Sequence, residues 1–321
     1  MTLLGHRNPL LRLSRAVRGY FRPARSGRSE RRIFVVGHRG AARHAPENTI
    51  TSFTKAIELG ADAVETDVCV TRDGRFVLWH DRAPTEKVAV ARQAGEEPYL
   101  YEPDVPAVGS PWRRPVHELD LADFRAHYGY VPRRRGAGRG ERVGIALLED
   151  LFGWASTERK LALVCLDVKI DPRQPERARD LVRFVREAGR DGRLPAALKV
   201  ALLCPEEEVV RALLSETPRE PPGPGLQIFA DFELPGALRF ANRLGARCVS
   251  LGTRRRFWSD FRDEVAAVVA TRDSGRIESV IAWTISDGKR LSELAAIGVD
   301  GILTDDAKLL RTIAGEPAKS R

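Results

Sequence analysis

From residue 33 onward, short apolar runs rich in β-branched residues alternate with amphipathic stretches of helical periodicity. This alternation predicts repeated strand-helix units and a parallel sheet. Nine candidate strands follow from the pattern, at residues 34–37, 63–68, 76–80, 161–168, 198–204, 226–230, 248–251, 280–285 and 301–304.

Two of these runs lie too close together for a helical connection. Only a few residues separate 63–68 from 76–80, whereas a parallel connection needs about a dozen or more, and Asp73-Gly74 is a strong hairpin signal. We therefore expect these two runs to form a local antiparallel pair, unless one of the nine runs is not a strand. Eight strands then remain, which is the number in a closed α/β barrel.

The predicted fold is an α/β TIM (β/α)8 barrel, which suits a chain of 321 residues because such barrels take about 250 residues before additions. We place the barrel at residues 33–315, with an insertion at about 82–140 after the third strand. A basic arm precedes it at residues 1–32, and a tail follows at 316–321. The insertion is rich in proline and charge, and we expect a helix around 119–126 within it.

Two segments have the composition of surface loops. Residues 133–140 combine four arginines with three glycines, and we expect either a solvated loop or a lid that contacts an anion. Residues 218–225 are rich in proline and glycine and are expected to form a second surface loop.

The first helix of the barrel has clear boundary signals. Asn48 is the predicted N-cap, and Ile50, Phe53 and Ile57 recur at helical spacing. Gly60 is expected to end the helix in the left-handed conformation.

The predicted hairpin places charged side chains together. If Asp73-Gly74 is a two-residue loop, Asp67 lies opposite His80, and alternation places Glu65 on the same face. Two carboxylates and a histidine are therefore expected to converge.

The charge of the chain is concentrated at its start. The formal net charge is +9, but residues 1–32 hold nine arginines and one glutamate and so carry +8, which leaves about +1 for the other 289 residues. The body of the protein is nearly neutral, and we expect no extended basic face and no nucleic-acid partner.

The cysteine pattern and the apolar runs bear on location. The four cysteines are far apart and form no C-x-x-C pair, so we expect small buried core residues in a reducing compartment. Arginines interrupt every apolar run in the arm, and no run of 18 apolar residues occurs, so neither a secretory signal nor a membrane span is predicted. A cytoplasmic location is expected.

The basic arm is amphipathic over residues 10–22. On a helical wheel Leu10, Val17 and Phe21 share one sector, while Arg12, Arg15 and other arginines lie opposite. This pattern is typical of a helix on an anionic membrane surface, which would give the protein a peripheral membrane contact. A disordered arm and a helix that docks on a partner are the alternatives.

Chemically active side chains lie at or near the ends of three of the predicted strands. His38 and Arg39 come directly after the first strand, where imidazole could exchange a proton and guanidinium could bind phosphate. Glu65 and Asp67 alternate along an apolar strand, so both point inward, where unpaired carboxylates are costly unless a cation such as Mg²⁺ or Ca²⁺ binds them. A salt-bridged pair is the alternative.

A later strand repeats this arrangement. Asp167 and Lys169 share a face at the end of a buried strand at 161–168. Asp167 is a candidate third metal ligand and Lys169 a candidate phosphate-binding cation, although a strand-end ion pair would have the same pattern.

The chain resembles the glycerophosphodiester phosphodiesterase family. The resemblance is densest over residues 36–81 and returns near the end of the chain. The motifs that carry it are His38-Arg39-Gly40, Ala45-Pro46-Glu47-Asn48-Thr49, Gly60-Ala61-Asp62, Glu65-x-Asp67-Val68, Thr71-x-Asp73-Gly74, His80-Asp81, Ala282-Trp283-Thr284 and Gly298-Val299-Asp300-Gly301-Ile302-Leu303-Thr304-Asp305.

This resemblance implies a TIM barrel that cleaves glycerophosphodiesters with the help of a divalent cation, Mg²⁺ or Ca²⁺. It implies roles for eight residues: His38 and His80 as general acid and base, Glu65, Asp67 and Asp167 as metal ligands, Arg39 and Lys169 as phosphate-binding cations, and Trp283 as a wall of the glycerol pocket. Two histidines suit the reaction because one takes a proton from the nucleophile and the other protonates the leaving oxygen. The nucleophile could be water or a neighbouring hydroxyl of the substrate.

The chain departs from the family pattern in four places. Asp167 stands where glutamate is usual, Ser286-Asp287 stands where asparagine is common, Asp305-Asp306 lacks the usual proline, and the insertion is longer and richer in arginine. The leading function is hydrolysis of glycerophosphodiesters. The alternatives are lysophospholipase D-type cleavage of lysophospholipids at a membrane surface and a barrel that binds phosphate or membrane without turnover.

Overall fold

A computed structural model describes residues 33–133, 141–216, 225–232, 235–253 and 257–308. The arm at 1–32, the end of the chain from 309 and most of the two predicted surface loops lie outside the described residues. The predictions of an amphipathic arm, an anion-contacting lid and a second surface loop therefore remain predictions.

The secondary structure of the described residues begins with the first strand of the barrel and ends with its last. The strands are β1 (Phe34–Gly37), β2 (Ala63–Val70), β3 (Phe76–Leu78), β4 (Tyr101–Asp104), β5 (Gly129–Pro132), β6 (Leu163–Val168), β7 (Lys199–Cys204), β8 (Leu226–Phe232), β9 (Cys248–Gly252), β10 (Ser279–Trp283) and β11 (Gly301–Thr304). The helices are α1 (Ile50–Glu58), α2 (Lys87–Gln93), α3 (Leu121–His127), α4 (Leu148–Thr157), α5 (Pro175–Arg190), α6 (Glu207–Ser215), α7 (Ala237–Leu244), α8 (Trp258–Asp273) and α9 (Gly288–Ile297), with a 3₁₀ turn at Val116–Glu118.

Eight parallel strands close into a barrel. Their order around the barrel is β1, β2, β6, β7, β8, β9, β10, β11, and β11 pairs back onto β1. Strand β3 pairs antiparallel with β2 outside this ring. The predicted TIM barrel and its local hairpin are thus confirmed, and all nine predicted strands are present with ends shifted by at most two residues.

The register of the hairpin was predicted wrongly by one residue. Val68 pairs with Leu78, so the turn contains three residues instead of two. The backbone N–H of Trp79, not that of His80, donates to the Asp67 carbonyl at 3.1 Å. The third turn residue, Gly74, has a φ of 81°, and a left-handed glycine of this kind absorbs the extra residue of a three-residue hairpin.

The N-cap of α1 was also predicted one residue too early. Thr49 caps the helix, because its side chain accepts a hydrogen bond from the backbone N–H of Ser52 at 3.2 Å. Asn48 has a φ of 56° and directs its side chain to β2 instead. Gly60 follows the helix with a φ of 105°, so the predicted positive φ at its end is confirmed.

The insertion after β3 is an ordered part of the fold over residues 82–133. It contains α2, the antiparallel pair β4 and β5, and α3, which lies close to the helix predicted at 119–126. A hydrophobic cluster joins the insertion to β3, with Trp79 packed against the rings of Phe124, Tyr128 and Tyr130. The residue before His80 is therefore held by the insertion.

The barrel has two apolar layers. One fills the space between strands and helices, and the other lies inside the barrel, where Val36, Cys165, Phe229 and similar side chains meet. All four cysteines are buried and free, as predicted. Among the described helices, none has the length and apolar character needed to cross a bilayer.

Candidate active site at the carboxyl end of the barrel

A cavity of about 810 Å³ opens where the parallel strands end. Barrels of this fold carry their active sites on this face. The cavity is lined by all eight residues singled out from the sequence: His38, Arg39, Glu65, Asp67, His80, Asp167, Lys169 and Trp283.

Three carboxylates crowd together on two neighbouring strands. Asp67 of β2 is the register partner of Asp167 of β6, and Glu65 lies two residues earlier on β2. Each of the three offers an oxygen, and these oxygens all lie within 4.8 Å of one another. Burial and the negative charge of Asp67 raise the pKa of Glu65 to about 8. Glu65 therefore tends to hold a proton near neutral pH, because a further negative charge beside Asp67 is unfavourable in this buried position.

The donor set of this cluster suits a hard divalent cation. Carboxylate oxygens are the ligands that Mg²⁺ and Ca²⁺ prefer. The Oδ1 atom of Asp167 is buried and has no hydrogen-bond partner among the described residues. A buried acceptor of this kind is costly unless it is satisfied, and a cation held with Glu65 and Asp67 would satisfy it.

Lys169 sits beside the acidic cluster. Its Nζ lies 2.6 Å from Asp167 Oδ2 and 3.5 Å from Asp67 Oδ1. Burial lowers the pKa of Lys169, but the charges of Asp167 and Asp67 outweigh it and raise the pKa above its ordinary value. The lysine is thus a fixed cation in the cavity wall.

Asn48 holds the acidic cluster in place. Its Oδ1 accepts from the hydroxyl of Thr66 at 2.8 Å and from the backbone N–H of Asp67 at 3.0 Å. Its Nδ2 donates to Asp67 Oδ2 at 3.0 Å. The sequence interpretation missed this role, because an asparagine just before a helix has the pattern of an N-cap.

His38 is paired with a carboxylate from the other end of the chain. Its Nδ1 lies 2.8 Å from Asp305 Oδ1, and the Tyr99 hydroxyl donates to the same oxygen at 3.1 Å. Burial lowers the pKa of His38, but the hydrogen bond and charge of Asp305 outweigh burial and raise it. Asp305 follows the last strand, and its pairing with His38 was not predicted because no local pattern connects residues so far apart in the chain.

His80 reaches the cavity because its strand ends early. Strand β3 stops at Leu78, so His80 is free of the alternation that would turn it away from Asp67. Its Nδ1 lies 2.7 Å from Asp81 Oδ1. Burial and the charge of Arg39 hold the pKa of His80 well below its ordinary value, despite the opposing charge of Asp67. The pKa values of His80 and His38 are therefore shifted in opposite directions.

Arg39 is held tightly at its backbone and at one end of its guanidinium. Its backbone N–H donates to Glu65 Oε2 at 2.7 Å, and its Nη1 donates to Glu47 and Glu97. Its Nε is buried 3.3 Å from Asp67 Oδ2 and has no hydrogen-bond partner of good geometry among the described residues. The arginine thus faces the cavity with unused donor capacity, which suits a phosphate oxygen.

Gly40 makes the packing of this loop possible. It has a φ of 79°, and a Cβ atom there would lie 2.3 Å from Ser52 Oγ. Any side chain would therefore push the loop that carries His38 and Arg39 away from α1.

Trp283 contacts a further buried carboxylate, Asp231, which the sequence interpretation missed. Its Nε1 donates to Asp231 Oδ1 at 2.6 Å, and Asp231 is buried at the end of β8 without an ion-pair partner among the described residues. Burial and the charge of Asp167 raise the pKa of Asp231 to about 7. Asp231 ends an apolar run just as Asp167 does, but the predicted strand stopped at residue 230.

The rest of the cavity wall is largely apolar. Side chains from the ends of β7 and β8 and from the start of α7 form this wall: Leu203, Pro205, Phe232, Pro235 and Phe240. The cavity thus combines a charged part around the acidic cluster with an apolar part.

Comparison with known proteins gives a family match over much of the chain. A model of the glycerophosphoryl diester phosphodiesterase family matches residues 38–222, which is more than half of the chain. A glycerophosphodiester phosphodiesterase of Caldanaerobacter subterraneus subsp. tengcongensis is 50% identical over 50 residues, covering 16% of this chain and 21% of that protein. The chain thus matches about a fifth of the length of this curated relative.

Solved structures share the whole architecture at low identity. An Oleispira antarctica phosphodiesterase, solved in complex with the product sn-glycerol-3-phosphate, is similar with a TM-score of 0.62 and 16% identity, covering 88% of this chain and 97% of that one. A glycerophosphodiester phosphodiesterase of Parabacteroides distasonis has a TM-score of 0.61 and 16% identity, covering 89% and 98%. These similarities establish the fold.

Proposed function

Because the chain belongs to the glycerophosphoryl diester phosphodiesterase family, we propose that it hydrolyses glycerophosphodiesters, such as deacylated phospholipids, to an alcohol and glycerol phosphate. One observation carries the proposal. The cavity that contains the acidic cluster is lined by two histidines, His38 and His80, whose pKa values are shifted in opposite directions. Such a pair supplies an acid and a base at the same pH.

His80 is the proposed general base and His38 the proposed general acid. Asp81, when ionised, can only accept a hydrogen bond, so the Nδ1 of His80 carries the proton and its Nε2 offers a lone pair. Nε2 takes the proton of the attacking hydroxyl, which belongs to water or to the substrate. His38, kept protonated by Asp305, gives its proton to the oxygen of the departing alcohol. The two transfers balance, and each histidine ends in the other's starting state.

Glu65, Asp67 and Asp167 are the proposed ligands of a divalent cation, Mg²⁺ or Ca²⁺. Their oxygens converge, and the partnerless Oδ1 of Asp167 supports this assignment. When bound, such an ion stabilises the negative charge that builds on the phosphoryl oxygens during attack. Asp167 is one methylene shorter than the usual glutamate, but the register of β2 and β6 places it beside Asp67, and its oxygen lies within 4.8 Å of those of Glu65 and Asp67.

Arg39 and Lys169 are the proposed phosphate-binding cations. Both side chains remain charged, and both line the cavity next to the acidic cluster. Two fixed cations would draw the diester into position and hold it for attack. Trp283 is the proposed wall of the glycerol subsite, and Asp231 beside it could accept a hydrogen bond from a glycerol hydroxyl.

A second candidate function has one observation in its favour. The apolar part of the cavity, around Phe232 and Phe240, could cover the start of an acyl chain, as in a lysophospholipid. An amphipathic arm at residues 10–22 would then bring the enzyme to its substrate in the membrane. Deletion of residues 1–32 should weaken binding to anionic vesicles and leave hydrolysis of water-soluble diesters unchanged. Equal vesicle binding with and without the arm would refute the membrane contact.

A substrate panel assayed with and without chelator tests these functions. Water-soluble diesters, glycerophosphocholine and glycerophosphoethanolamine, are compared with lysophosphatidylcholine, and release of glycerol phosphate or lysophosphatidic acid is measured. Turnover of the soluble diesters that stops with chelator supports the proposed function. Turnover of the lysolipid alone supports the second candidate, and turnover of neither supports a non-catalytic barrel.

A further inference from the structure

A closed ring of four charged side chains lies beside the cavity. Arg39 Nη1 donates to Glu47 Oε2 at 2.8 Å and to Glu97 Oε1 at 3.1 Å. Arg92 donates to the other oxygen of Glu47, and its Nε donates to Glu97 Oε2 at 2.8 Å. Each arginine therefore bridges the same two glutamates.

The ring is connected to His80 through one oxygen atom. Arg92 Nη1 donates to Asp81 Oδ1 at 2.7 Å, and the same oxygen lies 2.7 Å from Nδ1 of His80. Arg92 thus uses its three nitrogens on three different carboxylates. Only a guanidinium has a planar fork that can do this, because a lysine offers a single point of charge.

Half of the ring comes from the insertion. Arg92 lies in the last turn of α2, and Glu97 follows that helix, whereas Arg39 and Glu47 belong to the loop between β1 and α1. Arg92 is only 3% exposed. A buried arginine at the end of a short helix, directed at the barrel and not at solvent, is costly unless its partners are in place.

We propose that the insertion contributes positioning residues to the catalytic site. Arg92 positions His80 through Asp81, and Arg92 and Glu97 together hold Arg39 in place. This inference rests on the proposed function, since it concerns how the proposed base and phosphate-binding cation are oriented. Arg92 touches neither reacting group and is a positioning residue.

The physical effect of Arg92 is on the tautomer of His80. Arg92 Nη1 and His80 Nδ1 share Asp81 Oδ1, so the fork of Arg92 holds this acceptor against Nδ1, which places the proton of His80 on Nδ1 and leaves Nε2 free for the reaction. Without Arg92, Asp81 loses the donor that fixes its side chain and is free to turn away from His80, so nothing holds the proton of His80 on Nδ1. The proton of His80 then moves to Nε2, and the base is lost.

The test compares Arg92→Gln and Arg92→Lys with a control, Arg113→Gln. Arg113 lies in the same insertion and donates to the Pro106 carbonyl and the Gln93 side chain, but it contacts neither Asp81 nor Glu47. We expect both Arg92 variants to lower kcat/KM for a soluble diester by roughly 10- to 100-fold, the range usual for partners that orient an active-site group. The lysine variant keeps the buried charge and so keeps the fold testable if the glutamine variant does not fold. Wild-type kcat/KM in folded Arg92→Lys would overturn the proposal, as would an equal loss in Arg113→Gln.

Two further measurements separate positioning from stability. The double variant Asp81→Asn/Arg92→Gln should be about as active as the less active of the two single variants, because both changes break the same connection. If the two losses, expressed as free energies, instead add in the double variant, the connection through Asp81 is contradicted. Nitrogen-15 NMR of the His80 ring should show the proton on Nδ1 in the wild type and a shift toward Nε2 in Arg92→Gln; an unchanged tautomer would also overturn the proposal. The NMR measurement needs no turnover, so failure of the proposed function and failure of this inference remain distinguishable.

Discussion

His38 and Asp305 are 267 residues apart in the chain, yet Nδ1 of His38 lies 2.8 Å from Oδ1 of Asp305. They meet because β1 and β11 are the strands at which the barrel closes, and each residue follows its strand directly. Burial would raise the pKa of Asp305, but the hydrogen bond and charge of His38 lower it to about 2. Closure of the fold therefore brings Asp305 against His38, and this contact raises the pKa of His38.

Loss of this ion pair should shift the pH dependence of turnover. His38 must be protonated to act as the acid, and Asp305 raises its pKa, so activity falls as pH rises through that value. In Asp305→Asn the pKa of His38 should fall, and the alkaline limb of kcat/KM should move to lower pH. Asp306→Asn, a change at the next residue, is the matched control and should leave the limb in place. An alkaline limb at the same pH in Asp305→Asn and in the wild type would show that His38 is not the acid.

Binding of a divalent cation should release a proton from Glu65. The pKa of Glu65 is raised to about 8, so the carboxyl is mainly protonated at pH 7 in the absence of a cation. A cation requires the ionised form, and about one proton should leave on binding at pH 7. Titration calorimetry with Mg²⁺ or Ca²⁺ in buffers of different ionisation enthalpy measures this number. Glu65→Gln should release none, whereas binding to the wild type without proton release would place the cation elsewhere.

Asp231 should destabilise the folded protein at alkaline pH. Its pKa is raised to about 7 in the fold, above the value of about 3.9 in an unfolded chain. The folded state therefore loses stability as pH rises between these two values. At pH 8, Asp231→Asn should increase the free energy of unfolding by about 1–4 kcal/mol, with a gain that shrinks toward pH 4.

Urea unfolding in the presence of chelator, at pH 4 and pH 8, measures this gain. Asp260→Asn, at an exposed position of α8, is the control and should not reproduce it. A gain of equal size at both pH values would mean that Asp231 is destabilising for a reason other than its charge.

The functional side chains at the strand ends could be predicted from the sequence, whereas the contacts that these side chains make could not. Strand alternation and the position after an apolar run located Glu65, Asp67 and Asp167, because these depend only on local periodicity. Asp231 follows the same rule and was missed only because its strand runs two residues further than predicted. The eight residues of the predicted site meet because the barrel brings the ends of its strands to one face.

The contacts that set the chemistry are long-range. Asn48 was interpreted as a helix cap, and nothing local shows that its side chain reaches β2. The hydrogen bond from Arg92 to Asp81 depends on the path of the insertion. No periodic pattern in the sequence predicts that path. The hairpin register was wrong because a three-residue turn and a two-residue turn share the Asp73-Gly74 signature.

The most direct test of this account is the rate of glycerol phosphate release from glycerophosphoethanolamine by the wild type, His38→Ala and His80→Ala, each with and without chelator. We expect turnover by the wild type that chelator abolishes and Mg²⁺ or Ca²⁺ restores. We also expect losses of roughly 10²- to 10⁴-fold in each histidine variant, with circular dichroism spectra unchanged. Wild-type rates in either folded variant, or turnover that chelator leaves untouched, would contradict it.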